Sequence, residues 1–128
     1  MIKNGGIAQE YQLGYAAAAY SGVTQNCSKP SGNPVASITG FTVLPTNNYT
    51  ALLNAIATVG PIAIAVDASW GAYKSGIYNK PLPTSPDIDH EVVLVGYGEE
   101  NGQKYWIVRN SWSPTWLVCR ACCLLVSY

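Results

Sequence analysis

Asp89-His90-Glu91-Val92-Val93-Leu94-Val95-Gly96-Tyr97, then Gly98-Glu99-Glu100-Asn101-Gly102, then Tyr105-Trp106-Ile107-Val108-Arg109-Asn110-Ser111-Trp112: the fold turns on this stretch. Two runs rich in β-branched and aromatic residues flank a glycine-bounded turn, the pattern of an antiparallel hairpin. With the turn centred on Glu100, His90 lies directly across from Asn110, their β-carbons ~5 Å apart on one face of the ribbon. The same register sets Glu91 against Arg109, an opposite-charge pair, and stacks Val92 on Val108.

An imidazole beside a side-chain amide has a chemical use. The amide oxygen accepts from one ring nitrogen, which fixes the tautomer and leaves the other nitrogen for a nucleophile. A lone histidine at the start of a strand is by default a surface residue, and spacing alone does not choose between the two.

Working outward, Pro61-Ile62-Ala63-Ile64-Ala65-Val66-Asp67 is a nearly all-apolar segment bounded by breakers, which predicts a buried strand. Before it, Asn47 or Asn48 caps a helix running through Thr58, with Leu52, Ile56 and Val59 on one face and Gly60-Pro61 ending it. Ile38 to Leu44 alternates apolar with small or polar residues and predicts a further half-buried strand. Ser75-Gly76-Ile77-Tyr78 is a short extended piece, and Pro81 to Pro86 an ordered loop delivering the chain to His90. The first 27 residues lack a sustained period and suggest a helix end followed by loop.

The chain has 128 residues, 48% of them apolar, enough for one modest core. Seven basic residues balance seven acidic ones without clustering, which argues against capture of nucleic acid or an anionic membrane surface. The longest apolar runs fall far short of the ~20 residues that cross a bilayer. No apolar core followed by a small-residue cleavage site stands at the start, so no secretory signal is visible. Of Cys27, Cys119, Cys122 and Cys123, Cys119 and Cys122 form a C-x-x-C that stands alone without the second such pair of a zinc site, and His90 lies far upstream of the tail cluster; neither metal nor cofactor is expected. Asn26-Cys27-Ser28 and Asn48-Tyr49-Thr50 both match the N-glycosylation acceptor, although Asn48 also stands where a helix cap is wanted.

Asp89-His90 followed by Val92-Val93-Leu94-Val95-Gly96-Tyr97-Gly98 resembles the histidine motif of the papain family of cysteine peptidases, to which the lysosomal cathepsins belong. Tyr105 to Trp112 resembles that family's asparagine motif, and the two occur in the family's order. The resemblance extends over the helix with its Gly60-Pro61 and strand, the Ser75 to Tyr78 element, and more faintly Gly5-Gly6-Ile7 and Tyr20 to Cys27. It implies an α+β, papain-like fold, chiefly the right-hand antiparallel β-barrel domain with one short helix. Residues 1–27 would be a remnant of the left domain and crossover, and residues 28–128 the right domain, with an atypical tail from 113.

By the same resemblance His90 and Asn110 are catalytic, Trp112 shields their hydrogen bond from water, and Ala65, Ile88 and Glu91 line the main specificity pocket. The function implied is hydrolysis of peptide bonds in a peptide or protein substrate, through a Cys-His-Asn site in a lysosomal or extracellular protein. The sequence departs from the family in several places. No Cys-Gly-Ser-Cys-Trp segment with a preceding glutamine occurs, so the nucleophile and the left domain lie outside this chain, and the chain alone is expected to be inactive. Cys27 resembles a disulfide cysteine with an upstream partner. After Asn110, Trp116 keeps its place but the family's glycines do not, which leaves barrel closure open. Glu91 replaces a small residue; pairing with Arg109 is the more economical account, and a pocket favouring a basic substrate side chain the other. A chain without its nucleophile is also compatible with a non-catalytic pseudoenzyme or peptide-binding module.

Overall fold

Glu100 and Gln103 are register partners across a two-residue turn, Asn101-Gly102, whose φ angles are 51° and 78°. Positive φ at both central positions is the type I′ turn, whose twist matches that of the strands it joins. The computed structural model describes residues 2–3, 5–9, 11–12, 33–71, 73–79, 81 and 84–112, and the backbone of 123–127. The turn is thus centred beyond Glu100, and the register expected from the sequence shifts with it. β3 (His90–Glu100) and β4 (Gln103–Arg109) pair antiparallel, with Val93 opposite Arg109 and Leu94 opposite Val108. Val95 is an extra residue in β3, a bulge between Leu94 and Gly96.

The chain divides into two compact units, Met1–Val43 and Leu44–Tyr128. In the first, Ile7 and Ala36 form an isolated antiparallel bridge, closed by Ile7 N–H to Ala36 O at 2.8 Å and Val35 N–H to Ile7 O at 3.0 Å. Gly6 is required there: at φ 145° a β-carbon would come within 2.5 Å of the Ala36 oxygen. The strand expected over Ile38 to Leu44 is not formed. Phe41 and Val43 are 76% and 77% exposed, and alternation without a partner strand among the described residues leaves the segment outside any ladder.

The second unit begins with α1 (Tyr49–Thr58), started by Asn48, whose Oδ1 accepts the Ala51 N–H at 2.9 Å. Ile56 is buried and Leu52 packs against the core, but Val59, the C-cap, is 83% exposed and does not join them. β1 (Ile62–Val66) follows and pairs antiparallel with β3, Ile62 opposite Leu94 through Val66 opposite His90. It is an edge strand with one covered face, not the buried strand its apolar run predicts: Ile62, Ile64 and Val66 pack on the core while Ala63 and Ala65 are exposed. β2 (Ile77–Tyr78) and β5 (Cys123–Ser127) complete one five-stranded sheet in the order β1-β3-β4-β5-β2. The β2–β5 pairing is parallel, and β1 and β2 are the outer strands, so the sheet does not close into a barrel among the described residues.

Val92 and Leu94 from β3 and Val108 from β4 form the sheet's contribution to the core, joined by Ile56, Trp70 and Tyr73. Gly98 lies opposite Tyr105, whose ring folds over it so closely that a β-carbon would meet the hydroxyl at 2.5 Å. Ala16 to Ala19, Cys27 with the domain boundary expected beside it, and Ser113 to Cys122 lie outside the described residues.

Candidate functional site

His90 opens β3 on the face that Val92 and Leu94 bury, and Asn110 follows β4 directly. Continuing the observed register sets Asn110 across from Val92, so His90 is its diagonal neighbour on the same face. The side chains close that offset: His90 Nε2 stands 2.8 Å from Asn110 Oδ1. The Ser111 N–H also donates to Oδ1, at 2.8 Å, which fixes the amide with its oxygen toward the ring. A carboxamide oxygen only accepts, so Nε2 carries the hydrogen and Nδ1 is the nitrogen left for other chemistry. Asn110 is 7% exposed, and its Nδ2 is buried without a partner among the described residues.

Two indoles enclose this pair. Trp112 lies over the imidazole with ring centroids 5.1 Å apart at 34°, and Trp70 meets its edge at 6.4 Å and 76°. The indoles are 6.2 Å from each other. Both indoles thus pack against the imidazole that Asn110 holds. Trp70, 5% exposed, was not anticipated; the only sequence signal was an aromatic residue shortly after a strand, which periodicity does not assign to any site.

The segment leading into His90 is braced by two carboxylates. Asp67, just past β1, accepts the Asp87 N–H on Oδ2 at 2.9 Å, and on Oδ1 the Ser69 N–H at 3.0 Å and the Ser69 hydroxyl. Asp89 returns the contact, its Oδ1 accepting the Ala68 N–H at 3.1 Å while its own N–H donates to Val66 O at 3.2 Å. The Ser69 hydroxyl, then the Asp87 N–H, hold the Asp67 carboxyl below its usual value, since both stabilise the ionised form. The braces tie residues 87–89 to the end of β1, and with them the entry of His90 into the sheet.

Ile88 sits between the braces and is 60% exposed. Ala65 and Glu91 are register partners across β1 and β3, and both are exposed. The structure therefore brings Ala65 and Glu91 together and leaves Ile88 nearby in the chain. Glu91 does not face Arg109, as the hairpin centred on Glu100 requires; Val93 does, because the turn lies further along the chain. Glu91 and Arg109 are instead diagonal neighbours on one face, the relation His90 has to Asn110, and not directly opposed.

A hollow of about 270 Å³ at the turn end of the hairpin, lined by Tyr49, Leu53, Tyr97, Gly98, Glu99 and Lys104, belongs to the other end of β3 from His90. No group of three or more His, Cys, Asp or Glu gathers for a metal among the described residues, and none of their helices is long and apolar enough to cross a membrane.

Papain family cysteine protease is the family description that matches residues 1–118. Human cathepsin L2 is 46% identical over 121 residues, an alignment covering 89% of this chain and 35% of that protein. Among solved structures, digestive procathepsin L2 proteinase from the Tenebrio molitor larval midgut superposes with a TM-score of 0.78 at 32% identity, covering 98% of this chain and 38% of that one. The bromelain protease from Ananas comosus, solved with the E64 inhibitor, gives 0.76 at 35% identity over 98% of this chain and 55% of its own. The chain spans about a third of the curated relatives it matches.

Proposed function

Because this chain belongs to the papain family of cysteine proteases, we propose that it contributes the histidine and asparagine of a Cys-His-Asn peptidase whose cysteine is carried outside these 128 residues. The observation that carries the reading is the 2.8 Å contact from His90 Nε2 to Asn110 Oδ1, with that oxygen oriented by Ser111. It leaves Nδ1 to take the proton of a thiol, giving a thiolate and imidazolium pair.

In the proposed cycle the thiolate attacks the scissile carbonyl carbon, and Nδ1–H protonates the departing amine as the carbon–nitrogen bond breaks. His90 then acts as base for the water that hydrolyses the acyl-enzyme. Asn110 keeps the ring in line through both steps, and Trp112 with Trp70 excludes water from the bond that holds it. Ala65, Glu91 and Ile88 form the substrate wall. Glu91 is exposed, and its carboxylate favours a substrate side chain that is basic. The partners are a peptide or protein substrate and the left domain that supplies the nucleophile. The compartment is lysosomal or extracellular.

The test is expression of the longest reading frame that contains this chain, assayed for peptide hydrolysis beside its His90→Ala variant. Hydrolysis lost in the variant is the expected result. A frame with no upstream Cys-Gly-Ser-Cys-Trp segment and no hydrolysis would overturn the proposal in favour of a peptide-binding module. The 128-residue chain alone is expected to resist labelling by an epoxide that alkylates papain-type thiolates, and stoichiometric labelling would mean that one of its own cysteines is the nucleophile.

A further inference from the structure

The proposed chemistry makes no use of Asn48-Tyr49-Thr50, at the opposite end of α1 from the turn into β1. The segment matches the N-glycosylation acceptor, and a helix cap competes with that reading for the same asparagine. The structure separates the two roles by atom. Asn48 caps through oxygen: Oδ1 accepts the Ala51 N–H at 2.9 Å and the backbone carbonyl accepts the Leu52 N–H at 3.0 Å. Its own backbone N–H donates to Pro45 O at 3.3 Å. Nδ2, the atom to which a glycan is joined, makes no hydrogen bond among the described residues, and both Asn48 and Thr50 are exposed.

We propose that Asn48 carries an N-linked glycan in the folded protein, with Oδ1 continuing to cap α1. The donor is an oligosaccharide linked through a diphosphate to a lipid. The bond from the sugar's anomeric carbon to the diphosphate oxygen breaks, its electron pair leaving with the lipid diphosphate. The bond from that carbon to Nδ2 forms, and the amide gives up one proton. The product is still a carboxamide with its oxygen unchanged, so the N-terminal turn of α1 loses no hydrogen bond when the sugar is added. A preceding residue in the left-handed region, Asn47 at φ 53°, turns the chain just before the cap, and every residue from Pro45 through Thr50 is exposed, which leaves room for a bulky polar group. The inference rests on the lysosomal or extracellular route of the reading above, and not on catalysis.

The experiment places the full chain behind a cleavable secretion leader in a eukaryotic cell and reads the total cellular pool, because transfer precedes folding and release. Peptide N-glycosidase treatment in ¹⁸O water marks each occupied asparagine as labelled aspartate, which distinguishes Asn48 from Asn26. Label at Asn48 is expected. Thr50→Ala is expected to abolish it while leaving the cap atoms intact, and Asn48→Asp to abolish it while keeping an oxygen on the Ala51 N–H, both with unchanged helix content by circular dichroism. An unlabelled Asn48 in the parent chain, or label that persists in Thr50→Ala, overturns the proposal whether or not the longer protein hydrolyses peptides.

Discussion

His90 and Asn110 are joined at 2.8 Å through Nε2 and Oδ1 although the two residues are diagonal neighbours and not register partners. The contact therefore depends on side-chain orientation as well as on the ladder, and Ser111 N–H and the two indoles supply that orientation. In the longer protein, Asn110→Ala should lower kcat/KM for peptide hydrolysis. A hydrogen bond to a charged group contributes about 1.5–3 kcal/mol, which corresponds to a drop of roughly 10- to 150-fold. Steady-state kinetics on a peptide substrate measures it, and an unchanged kcat/KM would remove Asn110 from the site.

The Asn101-Gly102 turn holds the strands in register through two positive φ angles. Gly102→Ala puts a β-carbon into the left-handed region and should destabilise the chain by about 1–2 kcal/mol, whereas Asn101→Gly should be tolerated. Urea midpoints of the two variants compare them directly; equal midpoints would mean the turn does not determine the hairpin.

Core burial separates two adjacent residues of β3 more sharply. Leu94 is 0% exposed and packs opposite Val108, while Val93 is 37% exposed on the other face. Leu94→Ala should cost about 2–5 kcal/mol, enough to unfold a modest domain, and Val93→Ala much less. Thermal unfolding of the pair checks the difference.

The hairpin, α1, the β1 segment and the Ile77-Tyr78 piece were legible because each carries a local signature: alternation, a cap, a breaker at both ends. The register was not. Asn101-Gly102 is the stronger turn signal than Glu100, yet an unbroken ladder from that turn would send His90 and Asn110 to opposite faces, since a side chain changes face with every residue. The Val95 bulge restores them to one face, and no local preference in Val-Val-Leu-Val-Gly announces a bulge. The segment over 38–44 has the pattern of a strand but not a partner among the described residues, and a partner is a property of the rest of the chain. Trp70 reaches the imidazole through a loop folded by Tyr73 and Tyr78, whose hydroxyls bind Gly76 O and Ser69 O at 2.6 and 2.7 Å, contacts that no periodicity encodes.

On the proposed substrate wall, Glu91 lies opposite Ala65 and is exposed. Glu91→Gln in the longer protein should lower kcat/KM for a substrate with a basic side chain in that pocket, relative to an apolar one. An exposed charge pair contributes about 0.2–1 kcal/mol, or roughly a 1.5- to 5-fold change that salt should screen. A competition assay between the two peptides measures the ratio; no change at low salt would return Glu91 to the solvated surface.

Asp67 links pH to the entry of His90 into the sheet. Its carboxyl is held below the usual value of 3.8 by the Ser69 hydroxyl and then by the Asp87 N–H, so the folded state favours the ionised form more than the unfolded chain does. For a group lowered in this way the contribution to stability is fully present above the unfolded value, declines as pH falls below it, and is gone once the folded value is passed. Acid should therefore weaken the Asp67 brace only as the pH falls from about 3.8 downward. Asp67→Asn keeps an oxygen for Ser69 but turns an N–H₂ toward the Asp87 N–H, which removes both the charge and one acceptor. The variant should be less stable at neutral pH and should show a shallower loss of stability between pH values around and below 3.8. Asp87 and Asp89 remain in both proteins, so the difference between the two pH profiles isolates Asp67. Parallel profiles would mean that the carboxylate does not brace residues 87–89 in solution, and that His90 is held by Asn110 and the indoles alone.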